Sequence, residues 1–257
     1  MTRTAKVVFA AIAFLFLVSS FALAQAPAPA QAPAAAPPPA REYSGSFGGG
    51  MTLTSGNTTN RNYNIAFSHV HERKNGNTDK ITALYLRGKQ NGVLTLDRAS
   101  VVFRDEYKLS SRVFLYGEAN YLSDRFKDIS YYISPVGGLG YKLVDTDITK
   151  LQISAGAGGA WEKNSGVERK YSGTVNGGQS FSHNLSSTAK ITESFGALWN
   201  MDDFSDSFST FSAGITTSII KQFELKVEFL DTYKTRPPNP AIKKNDTSLV
   251  IAFLLKY

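Results

Sequence analysis

The chain has 257 residues, 42% of them hydrophobic, a formal net charge of +7 and no cysteine. Lack of cysteine excludes disulfide scaffolds and thiolate metal sites, and a mean hydropathy of −0.19 is too polar for a bundle of membrane helices. A basic excess alone would suit nucleic acid, but the first segment of the chain argues for export.

Residues 1–24 have the layout of a secretory signal. Arg3 and Lys6 give a positive start, Val7 to Val18 form a short apolar run, and Ala22-Leu23-Ala24 offers small residues for cleavage before Gln25. The run is shorter than the roughly 20 residues a spanning helix needs, and the lack of a following cysteine excludes a lipoprotein anchor. Removing the two signal cations takes the charge from +7 to +5 (7 − 2). Residues 25–42 form an Ala/Pro-rich spacer holding Pro27, Pro29, Pro33, Pro37, Pro38 and Pro39. Such a composition cannot bury a core and is expected to be disordered, either as a plain lead-in or as a tether reaching a periplasmic partner.

Residues 43–257 read as one domain rich in Gly, Ser, Thr, Tyr and Phe. Turn signals recur from Ser55-Gly56-Asn57, Asn75-Gly76-Asn77 and Asn91-Gly92 through Ser110-Ser111, Lys127-Asp128 and His183-Asn184 to Pro237-Pro238-Asn239-Pro240. They mark off about twelve strands, an even number as bacterial barrels have. Between them the pattern has period two. Val113, Leu115, Gly117, Ala119 and Tyr121 share one face, and Phe114, Tyr116, Glu118 and Asn120 share the other. The last strand alternates Leu249, Ile251, Phe253, Leu255 and Tyr257, ending on an aromatic residue as barrel-closing strands do.

Aromatics near strand ends (Tyr63, Tyr107, Tyr121, Tyr141, Trp161, Trp199, Tyr233) fall on the apolar face, where an interfacial girdle would put them. The opposite face reads as too small or too charged for a dry core. The predicted fold is therefore all-β: a transmembrane antiparallel up-and-down β-barrel in the bacterial outer membrane. Three acids, Asp105, Glu193 and Asp231, fall on the lipid face by strict counting, and Pro135 falls inside a strand.

Several stretches resemble the YdiY-like family of salt-induced outer-membrane proteins. They are the Gly-rich first strand leading into Ser55-Gly56-Asn57-Thr58, then Asp105-Glu106-Tyr107-Lys108-Leu109-Ser110, Asp124-Arg125-Phe126-Lys127-Asp128-Ile129 and, most specific, Gly137-Gly138-Leu139-Gly140-Tyr141-Lys142-Leu143. The resemblance covers residues 43–257 and implies an outer-membrane barrel of unknown biochemical function. Salt response belongs to the family's name; no residue pattern here encodes it.

For function, the inner face supplies two sets of residues. Small ones include Ser46, Gly48, Gly50, Gly138, Gly140, Ser154, Gly156, Gly158, Thr174 and Gly178; charged ones are Arg98, Arg104, Glu106, Glu118, Lys190, Glu224, Lys226 and Glu228. Small side chains leave volume, so these eight charges are the candidate lining of a narrow small-solute channel. A plugged structural or envelope-stress barrel, with charges paired across the lumen, fits equally. An enzyme acting on lipids is the weakest reading. The three histidines, His69, His71 and His183, fall at the wrong end for outer-leaflet chemistry, and a His69/His71 pair is a poor metal site. No catalytic, metal or cofactor residue is assigned. The expected partners are membrane lipid, lipopolysaccharide and the barrel assembly machinery, with the chain a monomer and nucleic acid excluded. Basic residues of the outer loops, among them Arg125, Lys127, Arg169, Lys170, Arg236, Lys243 and Lys244, would face lipopolysaccharide phosphates or simply form a solvated rim.

Overall fold

The computed structural model describes residues 42–55, 60–90, 93–237 and 240–257. The predicted signal, nearly all of the spacer, and the turn signals at Gly56-Asn57 and Asn91-Gly92 lie outside these residues. Twelve strands follow in chain order: β1 (Tyr43–Ser55), β2 (Asn60–Glu72), β3 (Thr78–Gln90), β4 (Val93–Lys108), β5 (Val113–Asp124), β6 (Ile129–Asp145), β7 (Thr149–Asn164), β8 (Lys170–Asn184), β9 (Ala189–Asn200), β10 (Ser207–Ile220), β11 (Phe223–Lys234) and β12 (Asn245–Lys256). Each pairs antiparallel with its sequence neighbours, and β12 pairs with β1, so the sheet closes on itself. Closure removes every edge, which a sheet in hydrocarbon requires.

β1 begins and β12 ends at one rim, here the terminal end; the opposite rim is the distal end. Directly paired residues share a face, so one strand's parity propagates around the ring. Starting from buried Phe114 and Tyr116 of β5, the registers carry the inward face through Gly140 and Gly138, Ser154 and Gly156, Gly178 and Asn176, and on to Glu228 and Val250. The outward face exposes Phe47, Ile65, Phe103, Leu139, Ile153, Ile215 and Phe253, each 43% or more exposed. A continuous apolar belt of this extent suits lipid, not water.

The irregular residues have local explanations. Pro135 faces outward, and the β6–β7 register places Gly159 opposite it, a carbonyl deprived of a backbone donor by the proline. The wholly buried Ser134 hydroxyl donates to that Gly159 oxygen at 3.0 Å. Asp105 lies near the terminal rim, 3.8 Å from the Arg73 guanidinium. Glu193 also faces outward, and no bulge rescues it: β9 runs in unbroken register against Phe181 and Ala213 on either side. Its carboxylate accepts from Gln179 Nε2 at 3.4 Å, and only 5% of the residue is exposed.

The seam is closed by an aromatic clasp. Tyr257 and Gly45 exchange backbone hydrogen bonds, of 3.3 Å from the Gly45 amide and 3.1 Å from the Tyr257 amide. The Tyr257 ring lies over Gly45, where a Cβ would come within 2.5 Å of its hydroxyl oxygen. That hydroxyl meets His69 Nδ1 on β2 at 3.0 Å, so the ring reaches over β1 altogether.

Candidate functional site

By register, Arg98, Arg104, Glu106, Glu118, Lys190, Glu224, Lys226 and Glu228 all lie on the inner face. They do not form one cluster. Arg104 is the hub of the first group: its Nε donates to Glu106 at 2.8 Å and its Nη1 to Glu118 at 2.8 Å, while Lys80 Nζ reaches Glu106 at 2.9 Å. Asn120 completes Glu118 at 2.8 Å, and the guanidinium sits 3.9 Å from the Tyr116 ring centroid. Two further pairs stand on β11: Lys226 with Glu228 and Glu224 with Lys256, each at 2.9 Å.

The inner face is less empty than its small residues predict. Phe114 and Tyr116 of β5 lie flat along the wall over the glycines of β6 and β7. A Cβ at Gly140 would fall 2.0 Å from Phe114 Cζ, and one at Gly156 would fall 2.7 Å from the Tyr116 hydroxyl oxygen. That hydroxyl accepts from Asn176 Nδ2 of β8 at 2.8 Å, three strands round the ring. With Val136 and Leu198 these rings make an apolar cluster inside the lumen. The expectation that the inner face holds no dry core is therefore corrected: the glycines act as beds for neighbouring rings. Leu86, Leu96, Leu122, Ile129 and Val250 are also buried on the inner side.

At the distal end, side chains meet across the lumen. The Asp124 carboxylate accepts from the amides of Phe126 and Lys127 at 3.1 and 3.2 Å, capping a 3-10 turn (Arg125–Lys127) that turns Lys127 inward. Asp128 takes a left-handed conformation (φ 58°) to leave that turn. Lys127 Nζ then reaches Asp246 at 3.2 Å and Thr232 Oγ1 at 3.3 Å. β5 and β11 are six places apart in a ring of twelve, so this contact spans the full width. Arg98 of β4 donates to the same Thr232 oxygen at 3.4 Å. Lys234 meets Glu162 at 3.3 Å, and Tyr132 faces Phe208 with centroids 6.4 Å apart, each pair bridging strands four places apart. Thr232 is 0% exposed and the Lys127 side chain 4%.

The terminal half differs. Inward-facing Thr82, Lys150, Ser180, Lys190 and Ser194 are all exposed to solvent. The lumen is thus a wet recess along β7–β10 that ends against the distal cross-contacts.

Lys127 is expected from the sequence on the outer rim, facing lipopolysaccharide or solvent; its burial corrects that placement, because it completes a pair inside the barrel. Of the other rim cations, Arg236 is held by Asp203, tying the β9–β10 and β11–β12 connections together. The Ser205 hydroxyl and amide, with Arg236, hold the Asp203 carboxyl below its usual range. All three histidines face outward. His69 bonds Tyr257, His71 bonds Asp79 at 3.2 Å, and His183 meets the Thr149 hydroxyl at 2.8 Å. Among the described residues no group of three or more His, Asp or Glu side chains could hold a metal ion. Thr232, Lys234, Glu162, Lys80 and Lys150 were overlooked in the sequence although each shares parity with a neighbour that was noted. Lys127 carried no such signal, since a turn breaks the alternation.

A family model for a protein of unknown function, DUF481, matches residues 48–257. No curated protein matches the chain. Among solved structures, the NanC porin aligns with 10% identity and a TM-score of 0.53, covering 84% of this chain and 100% of that one. The COG4313 outer membrane channel from Pseudomonas putida F1 aligns with 9% identity and a TM-score of 0.50, covering 84% and 94%. At such identities the likeness is one of fold.

Proposed function

Starting from the fact that the chain belongs to the DUF481 family, whose function is unknown, we propose that it is an integral outer-membrane barrel that passes small hydrophilic solutes through a narrow, closable lumen. Bacterial barrels keep both chain ends on the periplasmic side, so the wet recess faces the periplasm and the cross-contacts face outward. Exposed Arg125, Arg169 and Lys170 then lie toward lipopolysaccharide phosphates. One observation carries the proposal: the inner face is open to solvent at Ser180, Lys190 and Ser194, while at the distal end it is crossed by side chains such as Lys127. Lys127 stands on a three-residue turn, which moves far more easily than a folded plug, so its part of the constriction can open.

The test is single-channel recording of the purified protein in planar bilayers, backed by solute-driven swelling of vesicles. Discrete openings with swelling by small sugars or salts support passage; a correctly folded barrel with neither overturns it. The second reading, a braced structural barrel, is favoured by the same diametric pairs. It expects electrical silence together with a lower unfolding midpoint when Lys127 or Glu162 is removed. An enzymatic reading has less support: the Thr149–His183 contact has no carboxylate bonded to the imidazole among the described residues, so nothing orients a base.

A further inference from the structure

Charges on the inner face are matched almost throughout. Lys142 has Asp145 at 3.0 Å, Lys226 has Glu228 and Lys256 has Glu224 at 2.9 Å, and Lys80 and Arg104 share Glu106 and Glu118. Lys150 and Lys190 are the exceptions in the wet recess. Among the described residues neither has a carboxylate within 4.0 Å. Both are exposed and both face inward.

Their placement is specific. Lys150 stands on β7 beside Ser182, and Lys190 on β9 beside Asn184 and Thr216. The two therefore flank β8, offset by two residues along it, with backbones about 12 Å apart, and Lys190 lies within electrostatic range of Lys150 and of Glu224. Hydroxyls of Ser180, Ser182, Thr192 and Ser194 fill the wall around them. The nearest acids are already engaged: Asp145, directly opposite Lys150 on β6, is bonded to Lys142, and Glu224, within electrostatic range of Lys190, to Lys256. Two like charges with hydroxyl donors between them and no acid of their own leave an unmet demand for anionic oxygen.

We propose that Lys150 and Lys190, with the Ser/Thr wall of β8 and β9, bind small polyanions carrying two or more carboxylate or phosphate groups, admitted from the terminal end. The binding stands on this wall alone; only transit of the anion rests on the channel reading above. Two ammoniums suit two anionic groups because each forms its own charge-assisted hydrogen bond while the hydroxyls supply neutral donors.

Citrate is the probe. Isothermal titration of the full purified protein, in a detergent with an uncharged head group, should give saturable one-to-one binding that weakens as salt is raised. Lys150→Gln and Lys190→Gln should each weaken it about tenfold, the loss of one charge-assisted bond. Lys74→Gln, an exposed lysine of the β2–β3 turn, should leave it unchanged. No saturable binding, or binding indifferent to Lys150 and Lys190, overturns the site. A barrel that is electrically silent yet binds citrate through these lysines removes transit and keeps the site. One that conducts without lysine-dependent binding does the reverse.

Discussion

Replacing Lys127 by alanine tests the constriction directly. Its ammonium is held 3.2 Å from Asp246 and 3.3 Å from Thr232, with the side chain 4% exposed. Breaking a buried ion pair by removing one partner costs about 3–5 kcal/mol. The Asp246 side chain is 20% exposed, so water recovers part of that loss. A figure of about 2–3 kcal/mol is then appropriate, roughly a 30- to 160-fold shift in the closed-to-open ratio. A pore open about 1% of the time would become open for about a quarter to three-fifths of it. Open probability in planar bilayers reads this, with Lys127→Arg as the conservative control and gel mobility before and after heating as the check on folding. Lys127→Ala with the open probability of the parent would refute the assignment of Lys127 as the closing element. The Lys234–Glu162 and Tyr132–Phe208 contacts would then be the next obstructions to remove.

Gly45→Val should displace the Tyr257 ring and crowd the Ser68 carbonyl, since a Cβ there already falls 2.5 Å from both; a loss of about 1–3 kcal/mol in urea unfolding is expected, and no loss would mean the clasp is ornamental. Glu193→Leu removes a carboxylate from the lipid face and should stabilise the barrel in vesicles by about 1–2 kcal/mol; a destabilised variant would show that the Gln179 contact outweighs burial. Arg104→Lys should not restore what Arg104→Met loses, because one ammonium cannot serve Glu106, Glu118 and the Tyr116 face together; equal unfolding midpoints for Arg104→Lys and the parent would contradict this. Asp203 titrates below its ordinary value, so its contribution is complete above the usual carboxylate range and is lost as pH falls through the lower folded value. Hydrogen exchange at the Ser205 amide, which donates to Asp203 at 3.0 Å, should speed up only in that acid window.

Strand faces were legible because period two is a local property. Arg104, Glu118 and Glu228 fall on the inner wall by counting within a single strand, and Glu193 falls on the lipid side by the same count. What the count does not reach is volume. Gly140 and Gly156 look like vacancies in one dimension, yet Phe114 and Tyr116 cover them from a neighbouring strand, and that depends on the β5–β6–β7 register. Lys127 was beyond reach for a different reason. Its direction is set by the Asp124 cap and the left-handed Asp128, backbone geometry that a basic residue in a polar turn does not announce. Lys190 is visible as an inward residue in the sequence, and Lys150 follows from the same count along β7. Their want of a partner is a statement about every other strand, and so belongs to three dimensions.

The clasp at the seam has a consequence for how the barrel completes itself. β12 pairs with a strand about two hundred residues earlier, for example Phe253 with Gly49, so this contact bears the longest chain closure in the molecule. The Tyr257 ring reaches past β1 to His69, which faces outward only when β1 and β2 are in their correct register. A slip of one residue in that hairpin would turn His69 into the lumen. The final strand thus finds its aromatic seat only on a correctly paired first hairpin, and closure carries its own proofreading.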